Sequence, residues 1–434
     1  ILPFIDNFKV TELFFVNFFS KIALTDLSHA TLVENPLKCA TMLTTLIYRS
    51  HLRADTPIQS IVDMVSEANS RNERAGVTGV LLFNGVHFFQ LLEGDETAVR
   101  QIYKKICMDA LHFNIVELLS DYAPYRRFGR SGMELIDIRL FSKEECLDRV
   151  LQRGTTKHKL LYNDRALRFF RTFIDSAETD SYYELPDRYS WFFSSDQINV
   201  SSVDPDIIED MHAVIDPLAA QIHSFVLSAK SDKDDIKANS LFFDLESKRD
   251  LLKIAGSFIT SSQRVSITLL PLTLLRVPNA IEILLDYIRE SNLYPEQVIV
   301  EFSESEIIPE IDEFAHSVQI LKSCGLSVAI NDFGVGNAGL LFLSKFQPEK
   351  LKIHPQLIQN IHKDGSKQAI LQSLIRCGEL LEIRICATGV EQPEEWMWLE
   401  SAGIFCFQGN LFSKYDKNGS LTIFWPESNE FKEC

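Results

Sequence analysis

The sequence predicts two modules in series: a ferredoxin-like α+β sandwich, then an α/β barrel of the (β/α)8 type. Three observations carry this. Between Met42 and Leu140 the apolar pattern reads strand, helix, strand, strand, helix, strand, strand, the order of a split βαβ sandwich. From Met211 onward, strand-like apolar runs alternate with helical stretches to near the end of the chain. Between the two lies a polar stretch, Asp180 to Asp206, with Pro186, Pro205 and many Ser and Asp.

In order along the chain, MLTTLIYRS (Met42 to Ser50) is rich in β-formers and reads as a strand. Ile58, Ile61, Val62, Val65 and Ala68 fall at helical spacing. VTGVLLFNG is a strand that ends on Asn84-Gly85, a dipeptide suited to the left-handed dihedrals of a tight hairpin, and HFFQLLEG is its partner. Glu96 to Met108 reads as a second helix, Ile115 to Tyr122 and Met133 to Leu140 as two more strands, with the helices on one sheet face. Ser142 to Ala177 reads as partly amphipathic helix, a cap or coupling element. The barrel pattern runs through VSITLLP, QVIVEFSES, LSVAINDFG, LKIHPQL and IRICATGVE, with helical stretches between. The expected divisions are 42–140, 141–204 and 205–427. Residues 1–41 are expected to be a leader or upstream extension without function, with the native start at Met42.

The formal net charge of -17 repels phosphate backbones and disfavours direct binding of nucleic acid. It suits a basic protein partner. Eight cysteines lack C-x-x-C and Cys/His metal spacing, which points to reduced thiols in a reducing compartment. No apolar run reaches the ~20 residues that span a bilayer. Leu13 to Leu24 is too short and contains Asn17, Ser20 and Lys21. A cytoplasmic location away from membranes is expected.

LIYRS, ANSRNERAGVTGVLLFNGVHFFQLLEG, DYAPYRRF and GMELIDIRL together resemble the BLUF family of flavin-dependent blue-light sensors, over Met42 to Leu140. The resemblance implies FAD as cofactor. It makes Tyr48 the photoactive tyrosine, Gln90 the switching glutamine, Asn72 the flavin-binding asparagine and Met133 the methionine of the last strand. Ser131 stands where some relatives carry Trp. The residue types suit the chemistry, because Asn and Gln carry both a donor and an acceptor and can satisfy the polar edge of an isoalloxazine. Tyr48 would give an electron and then a proton to the excited flavin, leaving Gln90 rotated or tautomerised and the absorption shifted to the red. Met133 is adaptable enough to repack, so the fifth strand and the helices after it are expected to carry the signal. Arg126 and Arg127 are candidates for the flavin-tail phosphates.

The second half, about Pro205 to Pro426, resembles the EAL family of cyclic-di-GMP phosphodiesterases. That family is built as barrels with two divalent cations in a carboxylate cluster. On the resemblance the signature glutamate falls on Val226, in Val226-Leu227-Ser228, and the following arginine on Lys230. The ligand asparagine falls on Thr268, the aspartate pair on Asn331 and Asp332, and the last metal glutamate on Thr388. Glu301, Glu304, Lys352, Glu391 and Gln408 match, while His354 replaces an aspartate. With Val226, Asn331 and Thr388 all neutral, two divalent ions would lack the charge to replace their hydration. The resemblance therefore implies no catalytic residues and no metal site, with Glu301, Asp332 and Lys352 left as a buried ion-pair network.

The whole arrangement resembles the blue-light anti-repressors of enteric bacteria, which pair a BLUF domain with a degenerate EAL domain. That implies an interaction protein with a MerR-type transcriptional repressor as partner; a homodimer is compatible with it. The competing readings are a light-regulated cyclic-di-GMP phosphodiesterase and a sensor that binds the dinucleotide without hydrolysing it.

Overall fold

The computed structural model describes residues 43–53, 56–123, 126–129, 132–153, 165–176, 191–200, 207–229, 240–336, 339–416 and 419–428. The expected leader, Met42, Ser131, Lys230 and much of the expected linker lie outside the described residues.

The first module is built on β1 (Leu43–Leu52), β2 (Thr78–Phe83), β3 (His87–Asp95), β4 (His112–Tyr122) and β5 (Gly132–Asp137), in the spatial order β4-β1-β3-β2-β5. Two split βαβ units interleave: β1 and β2 flank β3 through helix α1 (Ile58–Arg74), and β3 and β4 flank β1 through helix α2 (Glu96–Ile106). β5 adds to the edge beside β2, parallel to it. Helix α2 starts cleanly because the Asp95 carboxylate accepts from the N–H groups of Thr97 and Ala98.

Strand alternation sorts the side chains to two faces. Leu46, Tyr48, Leu81, Phe83, Phe88 and Leu92 pack under α1 and α2. Ile47, Val80, Leu82, Phe89 and Leu91 point the other way. They are covered by α3 (Lys143–Gln152) and α4 (Arg165–Ser176), through Cys146, Val150, Leu167, Phe170 and Phe173. The sheet thus carries helices on both faces, which corrects the expectation of a single covered face. The signal was already in the strands, since both alternating sets are apolar and neither could face water.

The second module has seven strands in the order β13-β12-β11-β10-β9-β8-β7. β7 (Ile208–Asp216) and β8 (Gln221–Ala229) form an antiparallel hairpin. β9 (Val265–Thr268), β10 (Val298–Ser303), β11 (Ser327–Phe333), β12 (Lys350–Ile353) and β13 (Arg384–Ala387) continue in parallel. Helices α5 (Ser240–Phe258), α6 (Pro271–Arg276), α7 (Ala280–Glu290), α8 (Ile311–Ser323), α9 (Gly339–Lys345), α10 (Pro355–Ile358), α11 (Gly365–Leu381) and α12 (Pro393–Ser401) follow the strands.

The eighth stave is a single residue. Phe407 exchanges both backbone hydrogen bonds with Ile215 at 2.9 Å, and on its other side the Ala387 backbone is held by Cys406 and Gln408. The Phe407 ring is fully buried against Phe412.

A third sheet is made of β14 (Ser413–Tyr415), β15 (Ser420–Ser428) and β6 (Trp191–Asn199), in the order β14-β15-β6. β6 lies inside the stretch expected to be linker. Its side chains gave no clear strand alternation, and only pairing with β15, more than two hundred residues on, makes it a strand.

Two predictions follow from this architecture. Phe407→Ala should cost roughly 3–5 kcal/mol in the unfolding of the second module, because it removes a buried ring at the closing point. Urea unfolding followed by tryptophan fluorescence measures this, since the four tryptophans, Trp191, Trp396, Trp398 and Trp425, all lie beyond the first module.

The other concerns pH. His51 packs edge-on against His87 at 4.3 Å, and burial, then His87 and Arg49, push its pKa down from 6.5 to about 3. Burial likewise lowers His112, and it lowers His362 to about 4. The folded chain keeps these rings neutral while the unfolded chain protonates them below about pH 6.5, so stability is full above that pH and falls on acidification towards 3. The urea midpoint should be lower at pH 5 than at pH 7, and less so in His51→Phe.

Candidate functional site

The first module opens a cleft between α1 and α2. Met64, Ala68, Arg71 and Asn72 of α1 form one wall, and Ile102, Lys105 and Ile106 of α2 the other. Tyr48, Leu81, Gln90 and Met133 form the floor, and Asp109 and His112 close one end. The four residues singled out in the sequence, Tyr48, Asn72, Gln90 and Met133, therefore meet in one place.

Register explains the meeting. Tyr48 on β1 stands opposite Gln90 on β3, which stands opposite Leu81 on β2, whose other neighbour is β5 with Met133. The Tyr48 hydroxyl donates to Oε1 of Gln90, and Nε2 of Gln90 donates to the thioether of Met133. A phenol that donates fixes the amide orientation: oxygen towards Tyr48, nitrogen towards Met133. Burial first, then the neighbouring Tyr103, Cys107 and Asp109, hold the Tyr48 pKa well above its usual value, so the phenol keeps its proton. Tyr103 of α2 packs on the Tyr48 ring at 5.5 Å.

Sequence reasoning missed several residues in or beside the cleft. Asn69, one turn from Asn72, accepts a 2.8 Å hydrogen bond from the Met133 N–H and ties α1 to β5. Arg71 and Lys105 bring a cation from each helix. The helical spacing of Ala68, Asn69 and Asn72 could have shown that these side chains share a face. Nothing in the sequence placed α2 opposite them.

Arg126 and Arg127 are not at the cleft, which corrects their reading as phosphate ligands. Arg126 donates to the carbonyls of Gly76 (2.6 Å) and Glu93 (3.2 Å). Arg127 meets the Glu93 carboxylate at 3.1 Å and Thr45 Oγ1 at 2.8 Å. Fully buried Glu93 also accepts from Thr45 Oγ1 and from the N–H groups of Arg127 and Phe128. A buried carboxylate needs this full set of partners, and it takes the Arg127 side chain for its own structure.

In the second module, Lys352 donates to Glu301 at 2.7 Å, both side chains 1% exposed. Asp332 is not in that network. Its carboxylate accepts from Ser303 at 3.0 Å on the strand-end side, which corrects the three-member expectation. Glu304 accepts from the N–H groups of Gly334, Gly336 and Gly339 and so pins the loop after β11. Val226 is buried in an apolar cluster with Val214, Cys386 and Cys406. Thr388 donates to the Ile353 carbonyl at 2.7 Å, and His354 caps α10 by accepting from Gln356 N–H. The mouth above the strand ends is lined by Asp210, His212, Asn331, Asp332, Thr388 and Gln408. Among the described residues, no three of His, Cys, Asp and Glu converge as a metal site. Nor, among those residues, is any helix long and apolar enough to cross a membrane.

The family model described as "Sensors of blue-light using FAD" matches residues 43–134, and the model "EAL domain" matches residues 246–415. The second match begins beyond β8, the strand that carries Val226. The chain is 49% identical over 401 residues to the blue light- and temperature-regulated antirepressor BluF of Escherichia coli K12, covering 89% of this chain and 100% of that protein. Among solved structures, Klebsiella pneumoniae BlrP1 in a manganese/cyclic-di-GMP complex aligns with a TM-score of 0.82 at 37% identity, over 89% of this chain and 100% of that one. BlrP1 with FMN and cyclic-di-GMP and no metal ions aligns with a TM-score of 0.76 at 34% identity, over the same shares of the two chains. With both domains matched in the same order and the whole of a relative covered, the chain belongs to the family of blue-light sensors that place a BLUF domain ahead of an EAL domain.

Proposed function

We propose that this chain senses blue light through FAD bound in the α1–α2 cleft. The output is then the binding of a transcriptional repressor, without hydrolysis of cyclic-di-GMP. One observation carries the reading: the unbroken line from the Tyr48 hydroxyl through the Gln90 amide to Met133 along the cleft floor. The site suits a flavin, with apolar walls for the ring system, amides of Asn72 and Gln90 for its polar edge, and Arg71 and Lys105 for phosphate. When bound, the flavin supplies blue absorption and an excited state able to oxidise a phenol.

The rest belongs to the chain. Tyr48 holds its proton at rest and releases electron and proton together more readily than it ionises, because burial penalises the phenolate. Gln90 touches both Tyr48 and Met133, so any rotation of its amide exchanges donor for acceptor at both ends. That change of one or two hydrogen bonds is worth on the order of 1–3 kcal/mol, enough to bias a two-state element.

The output reading rests on replaced chemistry. Val226 offers no oxygen, Thr388 spends its hydroxyl on a backbone carbonyl, and Lys352 neutralises Glu301. Asp332 is left with too little carboxylate company to bind two divalent ions. The antirepressor named among the relatives supports a repressor as partner. We assign it to the MerR type, a basic DNA-binding protein that suits the chain's net charge of -17. A cytoplasmic location follows from that partner. We assign the sensor to 42–140, the coupling helices to the segment after it, and the output module to 205–427 together with β6.

Tyr48→Phe should bind flavin yet lose the light-induced red shift. A shifted spectrum in that variant would remove Tyr48 from the photochemistry. The purified chain with Mg²⁺ or Mn²⁺ should leave cyclic-di-GMP intact in darkness and under blue light, and illumination-dependent turnover would favour the phosphodiesterase reading instead.

A further inference from the structure

Tyr48 and Arg49 are consecutive on β1, so their side chains leave the strand on opposite faces. Tyr48 meets the cleft. Arg49, 7% exposed, donates a 3.2 Å hydrogen bond to Oε1 of Gln368, 319 residues further along the chain. Gln368 is buried in the first turns of α11, and its own amide donates to the Ile361 carbonyl at 2.9 Å. A second contact lies alongside. Glu117 on β4 is the register partner of Tyr48 and forms a lone parallel bridge with Asp364. Asp364 caps α11, its carboxylate accepting from the N–H groups of Ser366 and Lys367.

The two contacts leave no slack. A Cβ on Gly365, the first residue of α11, would lie 3.0 Å from the Glu117 carbonyl and 2.7 Å from Leu118 Cδ2. Between β1 and β4 the opposite holds. The ladder slips register between Ile47 and Tyr48 and again between Arg49 and His51, each time with the extra residue on β4, while β1 keeps unbroken register with β3. Val116 and Glu117 of β4, bounded by the two irregularities, can shift against β1 without carrying the whole sheet.

We propose that the first turn of α11 is where the light signal enters the EAL module, with Arg49 and Gln368 as the positioning pair that transmits it. The proposal deepens the photosensory reading above and rests on it. When the Tyr48–Gln90 contact rearranges, β1 shifts against the short stretch of β4 between the irregularities. Arg49 moves with it, and its buried guanidinium cannot leave Gln368 without losing a partner that water does not replace. Either the turn follows or the bond breaks, and both alter α11. The helix joins β12, which carries Lys352, to β13, which leads to Thr388 at the strand-end mouth. This path runs through the β1–β4 edge. It bypasses β5, α3 and α4, the elements the sequence favoured as carriers.

The test is amide hydrogen exchange on the full chain with flavin bound, in darkness and under steady blue light. Backbone amides of 361–370 and 113–118 should change exchange rate by about fivefold on illumination, the factor that one ordinary hydrogen bond exerts on a two-state equilibrium. Arg49→Met and Gln368→Met should keep the red shift and lose that difference. A wild-type chain that shifts red with unchanged exchange at 361–370 overturns the proposal. So does either variant if it folds, shifts red and keeps the full difference. The wild-type measurement decides alone if both variants misfold. A wild-type chain that shows no red shift strikes the photosensory reading itself, a result distinct from these.

Discussion

The contact between the Tyr48 hydroxyl and the Gln90 amide depends on strand register, and the first module is organised around keeping that register. A slip of one residue on β1 or β3 would send one of the two side chains to the opposite face. The register is held from both sides. Apolar residues that alternate with Tyr48 and Gln90 are locked under α3 and α4, and those in line with them lie under α1 and α2. Glu93, three residues beyond Gln90, adds a polar lock by gathering Thr45, Arg127 and Phe128 around one buried carboxylate. Covering both sheet faces is thus what makes a two-residue polar contact reproducible.

In the second module, too, buried polar groups are held by partners within the fold. The central Glu301–Lys352 pair survives because removing either partner would strand a charge in the interior, at a cost of about 3–5 kcal/mol. Val226 joins Val214, Cys386 and Cys406, so the barrel interior is apolar at that point. Thr388 and His354 turn to local backbone partners. Each replacement satisfies itself within the fold, and the barrel keeps its shape. Glu304 goes on holding the glycine-rich loop after β11, a structural task that does not depend on a metal.

Among the described residues, the two modules meet where Arg49 and Glu117 of the first face Gln368 and Asp364 of the second. Gly365 allows helix α11 to lie directly on the β4 backbone, and Asp364 serves both as cap and as bridge to Glu117. A helix N-terminus held by backbone and by one buried guanidinium has little freedom of its own. A contact of this kind converts small displacements into a choice between two arrangements, as tightly packed interfaces do.

Much was legible in the sequence because it lives in local pattern and residue identity. The alternation of MLTTLIYRS and VTGVLLFNG, the helical spacing from Ile58 to Ala68 and the repeated barrel units each depend on neighbours within a few residues. Residue identity needs no fold either, since a valine at position 226 or a threonine at 388 cannot supply a carboxylate anywhere. Tertiary structure alone decided the rest, because it turns on partners far apart in the chain. Trp191–Asn199 becomes a strand only through β15, and Phe407 becomes a stave only between Ile215 and Ala387. Arg127 is drawn from phosphate duty by Glu93, and Arg49 becomes a junction only through Gln368. Hydrogen-bond partners for buried polar groups are set by where the chain returns in space, and no local periodicity records that return.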